Sequence, residues 1–87
     1  MAEEQKKLIG KIAHYYSKIG VAVIDLEDEL SVGDEISVEG ATTNVRQKVE
    51  SMQVEHENIE TAKAGDSVGL KVIDRVREQD AVYKVVQ

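Results

Sequence analysis

The chain has 87 residues, 41% of them hydrophobic, with a formal charge of -6 and no cysteine, tryptophan, phenylalanine or proline. That length holds one small core, which Val, Ile, Leu, Met and three Tyr must fill. The acidity runs against a nonspecific nucleic-acid binder, and the missing thiols exclude disulfides, a cysteine nucleophile and a cysteine metal site.

Residues 1–7 are charged and without apolar pattern, and are expected to form a flexible N-terminal tail; no secretory leader or membrane-spanning run is visible, so a cytoplasmic protein is expected. The first strand is expected over residues 8–16, with a bulge or close backbone approach at Gly10. Residues 17–20 make a hairpin that needs the freedom of Gly20. Residues 21–26 follow as an almost continuous apolar strand, which suggests contact on both faces. Glu27, Asp28 and Glu29 form an acidic loop tip, after which Leu30 and Val32 reach back to the core. Gly33-Asp34 turns the chain into a strand over 35–39, and residues 41–44 form a loop.

Residues 45–54 are expected to be the longest strand. Its phase changes between Val49 and the pair Met52 and Val54, so a bulge near Glu50-Ser51 is expected to bring all three into the core. Ile59 and Ala62 are spaced for one helical turn within the connection 56–63. Gly65-Asp66 then launches the strand around which the chain is organised, residues 67–73, with Val68, Leu70 and Val72 on one face. Val76 anchors the corner 74–79, and residues 81–86 form the last strand. Six short alternating runs, spaced by turns, predict a small closed antiparallel barrel of Greek-key-like topology over residues 8–87.

Three separated stretches carry a family resemblance. Leu30-Ser31-Val32-Gly33-Asp34-Glu35-Ile36, Val49-Glu50-Ser51-Met52-Gln53-Val54-Glu55-His56-Glu57 and Ala62-Lys63-Ala64-Gly65-Asp66-Ser67-Val68-Gly69-Leu70 are similar to motifs of domain 2 in translational GTPases of the elongation factor Tu and 1-alpha type. Gly10 followed by Ile12, then Ala22, Ile24 and Leu26, then 30–36, also resembles the C-terminal barrel of the collagenase-like peptidase family, several members of which act in RNA modification. Both resemblances imply the six-stranded translation-protein barrel. At the elongation-factor pocket this chain departs from the family: Gln53-Val54-Glu55, Ser67 and Lys18-Ile19-Gly20 stand where other residues are usual.

No phosphate loop is present, since Gly65-Asp66-Ser67-Val68-Gly69 lacks a lysine and opens a strand instead of a helix. No nucleotide cofactor, metal or catalytic constellation is expected. Glu55, His56 and Glu57 are neighbours along one extended segment and point to opposite faces, so with His14 they read as solvated groups. The acidic clusters 27–29 and 55–60 lack apolar walls that would raise a carboxyl pKa for acid–base work.

The residues with binding chemistry are Arg46 and Lys48 on one strand face, Arg75 and Arg77 on one corner, Lys18, and Tyr15 and Tyr16 as stacking rings. The resemblance to translational GTPases implies a non-catalytic, elongation factor-like RNA-binding module, with tRNA, rRNA or a translation factor as partner. The resemblance to the peptidase family implies a protein–protein adapter, or a detached accessory domain of an RNA-modifying enzyme. The Arg46, Lys48, Arg75 and Arg77 set serves the first reading, and an apolar patch would serve the second.

Overall fold

The computed structural model describes residues 5–55 and 57–86. Ten strands follow one another: β1 (Gln5–Tyr16), β2 (Val21–Leu26), β3 (Leu30–Ser31), β4 (Glu35–Glu39), β5 (Asn44–Lys48), β6 (Met52–Val54), β7 (Glu57–Ile59), β8 (Thr61–Ala62), β9 (Ser67–Lys71) and β10 (Ala81–Val86). Eight of them form one sheet in the order β5-β4-β10-β1-β2-β9-β6-β7, and β3 pairs with β8 apart from it. All pairings are antiparallel.

The expected six-stranded closed ladder is therefore replaced by an open eight-stranded sheet with β5 and β7 as its edges. The sheet nevertheless curls. Strands β5 and β6 stand first and seventh in the order, joined only by residues 49–51. In a flat sheet six strand spacings would separate them by about 29 Å. The link from Lys48 to Met52 reaches at most about 14 Å, so the sheet must wrap.

What lies within the wrap is one core: Ile9, Ile12, Ala22, Ile24, Leu26, Leu30, Ile36, Val38, Val45, Val49, Met52, Ala62, Val68, Leu70, Val72, Val76 and Val82. The inner faces of β2 and β9 supply it with period two, through Ala22, Ile24 and Leu26 and through Val68 and Leu70. Gly10 does both things expected of it. The β1 register slips between Leu8 and Gly10, and a Cβ there would stand 2.3 Å from the Asp25 carbonyl oxygen.

One turn device recurs three times. In Ser31–Asp34, Lys63–Asp66 and Arg77–Asp80 the Asp Oδ2 accepts the first residue's N–H, at 2.9, 3.0 and 2.9 Å. The Asp N–H donates back to that first residue's carbonyl. The residue before each Asp has positive φ: Gly33 at 97°, Gly65 at 94° and Gln79 at 75°. The first two copies were legible from Gly-Asp. The third was hidden, because glutamine stands where glycine is the usual signal.

Other expectations need correction. Residues 45–54 are two strands, β5 and β6, lying in different parts of the sheet; β1 is the longest at 12 residues. The phase change is an interruption between two strands at 49–51 instead of a bulge, yet it does bury Val49 and Met52 and pack Val54 against the core. The anticipated helical turn near Ile59 and Ala62 is instead the short strands β7 and β8. Val32 is exposed. Of the residues assigned to a tail, 5–7 belong to β1 and pair with 84–86 of β10, while 1–4 lie outside the described residues, as do His56 and Gln87.

Two ion pairs hold the start of β1. Lys6 Nζ meets Glu39 Oε2 at 2.6 Å, and Lys7 Nζ meets Asp28 Oδ2 at 2.5 Å. The Lys6 ammonium, then the Ser37 hydroxyl, holds the Glu39 carboxyl below its ordinary pKa; Lys7, then the Glu29 N–H, does the same for Asp28.

Candidate functional site

Two surface regions stand out. The first lies on the outer face of β1, β2, β9 and β6. Alternation aims Val21 and Val23 outward from β2, and both are half-buried. Antiparallel register places Tyr16 beside Val21, Val23 beside Gly69, and Gly69 beside Gln53. Gly69 has no side chain to fill the centre, so a hollow of about 610 Å³ opens there, lined by Tyr16, Ile19, Val21, Val23, Gln53, Glu55, Ser67 and Gly69. Ile19 is 61% exposed and Tyr16 48%, so this is an apolar outer surface. The Tyr16 ring packs edge-on to His14 with centroids 4.3 Å apart, and His14 Nδ1 lies 2.8 Å from Glu78 Oε2.

The second region is the gap between β5 and the segment 71–77. The Gln47 side chain bridges it. Gln47 Nε2 donates to the Lys71 carbonyl at 2.8 Å, and the Ile73 N–H donates to Gln47 Oε1 at 2.8 Å. On one side of this clasp a hollow of about 350 Å³ is lined by Gln47, Glu50, Ser51, Lys71, Val72 and Ile73. On the other side a hollow of similar size is lined by Thr42, Thr43, Asn44, Val45, Asp74, Arg75 and Arg77.

The residues singled out in the sequence fall into three groups. Arg75 and Arg77 do meet at one hollow, held by Val76, which is buried between them in sequence. Arg46 and Lys48 share an exposed face of β5, but Arg46 pairs with Glu35, and Glu35 also stands opposite Lys48 in the ladder. Tyr15, Tyr16 and Lys18 cluster at the first hairpin. Tyr15 is packed against the core, so only Tyr16 offers an open ring. The tyrosines and the arginines line different hollows.

The sequence reading missed the apolar hollow itself. Its signal was present in the unbroken Val21-Ala22-Val23-Ile24 run, where a polar outer position would have been ordinary. Gly69 carried the rest of it, as a strand residue with nothing to place on the outer face.

The architecture is that of the C-terminal domain of a Geobacillus thermoleovorans protein assigned to the U32 peptidases. The match has a TM-score of 0.84 at 21% identity and covers 90% of this chain and 91% of that domain. The selenomethionine variant of that domain matches with a TM-score of 0.83 at 20% identity, over 87% of this chain and 96% of the domain. At such identities the likeness concerns the fold.

Sequence similarity adds relatives. The chain is 43% identical over 84 residues to an uncharacterized protease of Methanocaldococcus jannaschii. It is 40% identical over 85 residues to a collagenase of Porphyromonas gingivalis, and 40% identical over 82 residues to another collagenase from that species. These alignments take in 94%, 95% and 92% of this chain but 21%, 20% and 23% of the relatives, so the chain spans about a fifth of the length of the curated relatives it matches. No protein-family model matches the chain. Of the two resemblances seen in the sequence, these similarities support the one to the peptidase-family barrel, and nothing in them points to a translational GTPase.

Proposed function

We propose that this chain is a cytoplasmic, non-catalytic adapter: a detached accessory domain that docks on a separate enzyme of the collagenase-like peptidase family. The observation that carries this reading is the alignment itself. Nearly all of the chain matches about a fifth of proteins named as a protease or as collagenases. The remaining four-fifths of such relatives is where their chemistry would reside.

The outer-face hollow is the surface suited to that role. Tyr16, Ile19, Val21 and Val23 offer a small apolar cluster with a polar rim from Gln53, Glu55 and Ser67, the layout of a modest protein interface. Gly69 leaves room for an incoming side chain.

The test mixes the purified chain with a U32-type enzyme trimmed of its own C-terminal domain and follows complex formation by sedimentation. A complex is expected at micromolar concentration. Gly69→Leu should weaken it, since a Cβ there meets Val21 at an ordinary 3.5 Å and the longer side chain fills the hollow without disturbing backbone. Absence of any complex overturns the reading. Binding of total tRNA in its place would favour the translation-module alternative.

A further inference from the structure

We infer that the outer face of β1, β2, β9 and β6 is also a self-association surface, and that in the free chain a second copy of the same chain covers the apolar hollow. This goes beyond the adapter reading, because it concerns the chain alone and holds or fails whether or not an enzyme docks there.

Three observations converge on this face. The first is shape. The outward residues of β2 and β9 are ladder partners: Val21 with Lys71, Val23 with Gly69 and Asp25 with Ser67. The Val72 N–H donates to the Gly20 carbonyl, which carries the pairing past the strand ends and sets exposed Ile19 beside exposed Ile73. A two-fold axis lying in the interface, parallel to these strands and midway between them, exchanges the two members of every pair. Each copy then lays Val23 over the second copy's Gly69, a projecting side chain against a position that has none. Ile19 meets the second copy's Ile73, and Val21 meets the methylene stem of its Lys71.

The second is charge. In the sheet order β1 flanks β2 and β6 flanks β9, so the same axis exchanges β1 with β6. Lys11 stands on the β1 flank as the ladder partner of Asp25. Glu55 stands on the β6 flank, two residues beyond Gln53 in the direction of Ser67. The Lys11 of each copy therefore comes opposite the Glu55 of the other, and two equivalent ion pairs result. Within one chain neither residue has an opposite charge at ion-pair distance among the described residues. The remaining charged groups of the face have other neighbours. Asp25 accepts the Ser67 hydroxyl at 2.7 Å, His14 lies against Glu78, and Lys71 borders the hollow that Glu50 lines, which leaves its stem for the contact.

The third is size. Four strands wide and seven residues long, the face measures about 19 Å by about 20 Å, a footprint of about 400 Å² on each copy. A stable complex buries about 800 Å² per partner, and a charge of -6 on each copy adds repulsion. The dimer is accordingly weak, and it yields the hollow to a partner that offers more surface. An unrelated partner would give no reason for Val23 to match Gly69 and Lys11 to match Glu55 about a single axis.

The experiment is sedimentation velocity of the full chain alone, from about 10 µM to about 2 mM, with a monomer–dimer equilibrium expected in the range of hundreds of micromolar. Amide NMR shifts on dilution should fall within residues 11–25, 53–55 and 67–73. Lys11→Glu and Glu55→Lys should each weaken the dimer about fivefold, since each sets like charges opposite one another twice, and the two changes together should restore it. Val23→Asp should leave the chain monomeric. Lys11 and Glu55 are exposed, so the charge swaps should keep the fold, which circular dichroism checks for all variants. A chain that stays monomeric throughout, a dimer indifferent to the single charge swaps, a double swap that restores nothing, or shifts confined to other strands each overturns the inference. Complex formation with the trimmed enzyme is measured separately, so failure of either result leaves the other standing.

Discussion

Gln47 reaches across the open edge of the sheet and treats the backbone around Val72 as a neighbouring strand would. Its amide nitrogen donates to the Lys71 carbonyl and its amide oxygen accepts the Ile73 N–H, each at 2.8 Å. A single side chain thus stands in for a missing ladder. It draws β5 towards β9, two strands that are far apart in sheet order.

Removing that clasp should cost stability without changing the fold. Gln47→Ala leaves two backbone groups to water, with an expected loss of about 1–2 kcal/mol. Urea denaturation measures it, and an unchanged midpoint would mean that the wrapped sheet holds itself shut through the core alone.

Gln79 offers the opposite case. It occupies φ 75°, the position that Gly33 and Gly65 fill in the other two copies of the same turn. A non-glycine residue there carries backbone strain, and glycine relieves it at some cost in chain entropy. Gln79→Gly should therefore raise stability by about 0.5–1 kcal/mol, read as a higher thermal midpoint.

Gly40 and Asp80 pack as one unit. A Cβ on Gly40 would stand 2.1 Å from Asp80 Oδ1, the carboxylate whose other oxygen holds Arg77 N–H. Gly40→Ala must displace that carboxylate and loosen the turn before β10, with an expected loss of about 1–3 kcal/mol. Gly69→Ala serves as control. Its Cβ meets neighbours at 3.5 Å and beyond, so thermal melting should show little or no loss.

Acid should loosen the start of β1. The carboxyls of Glu39 and Asp28 have pKa values held below the ordinary range by Lys6 and Lys7. Folded-state values below the unfolded ones mean that the stabilisation is complete above the ordinary carboxylate pKa. It is lost as pH falls through the depressed folded values, below about pH 4. The Lys6→Ala, Lys7→Ala variant should therefore be less stable at neutral pH and converge on the parent in acid. Thermal midpoints between pH 7 and pH 2 check the sign; a constant gap between the two proteins would contradict it.

Sequence alone settled what depends on neighbours along the chain. Alternation in Val21–Leu26 and in the stretch around Val68 and Leu70, with Gly-Asp at 33–34 and 65–66, defined strands and two corners, because side-chain direction and positive φ are local properties. Gly10 was legible for the same reason. Tertiary structure alone decided which strands are neighbours. The run 45–54 reads as one strand, yet its halves belong to different parts of the sheet, since pairing is chosen by burying Val45, Val49 and Met52 in a common core. The same choice set β5 at one end of the sheet order and brought Arg75 and Arg77 to a hollow beside Asn44 and Val45, and it placed Gly69 beside Val23 to open the apolar hollow. Strand partners far apart in sequence leave no mark in local periodicity, so the surfaces they create appear only when the sheet wraps.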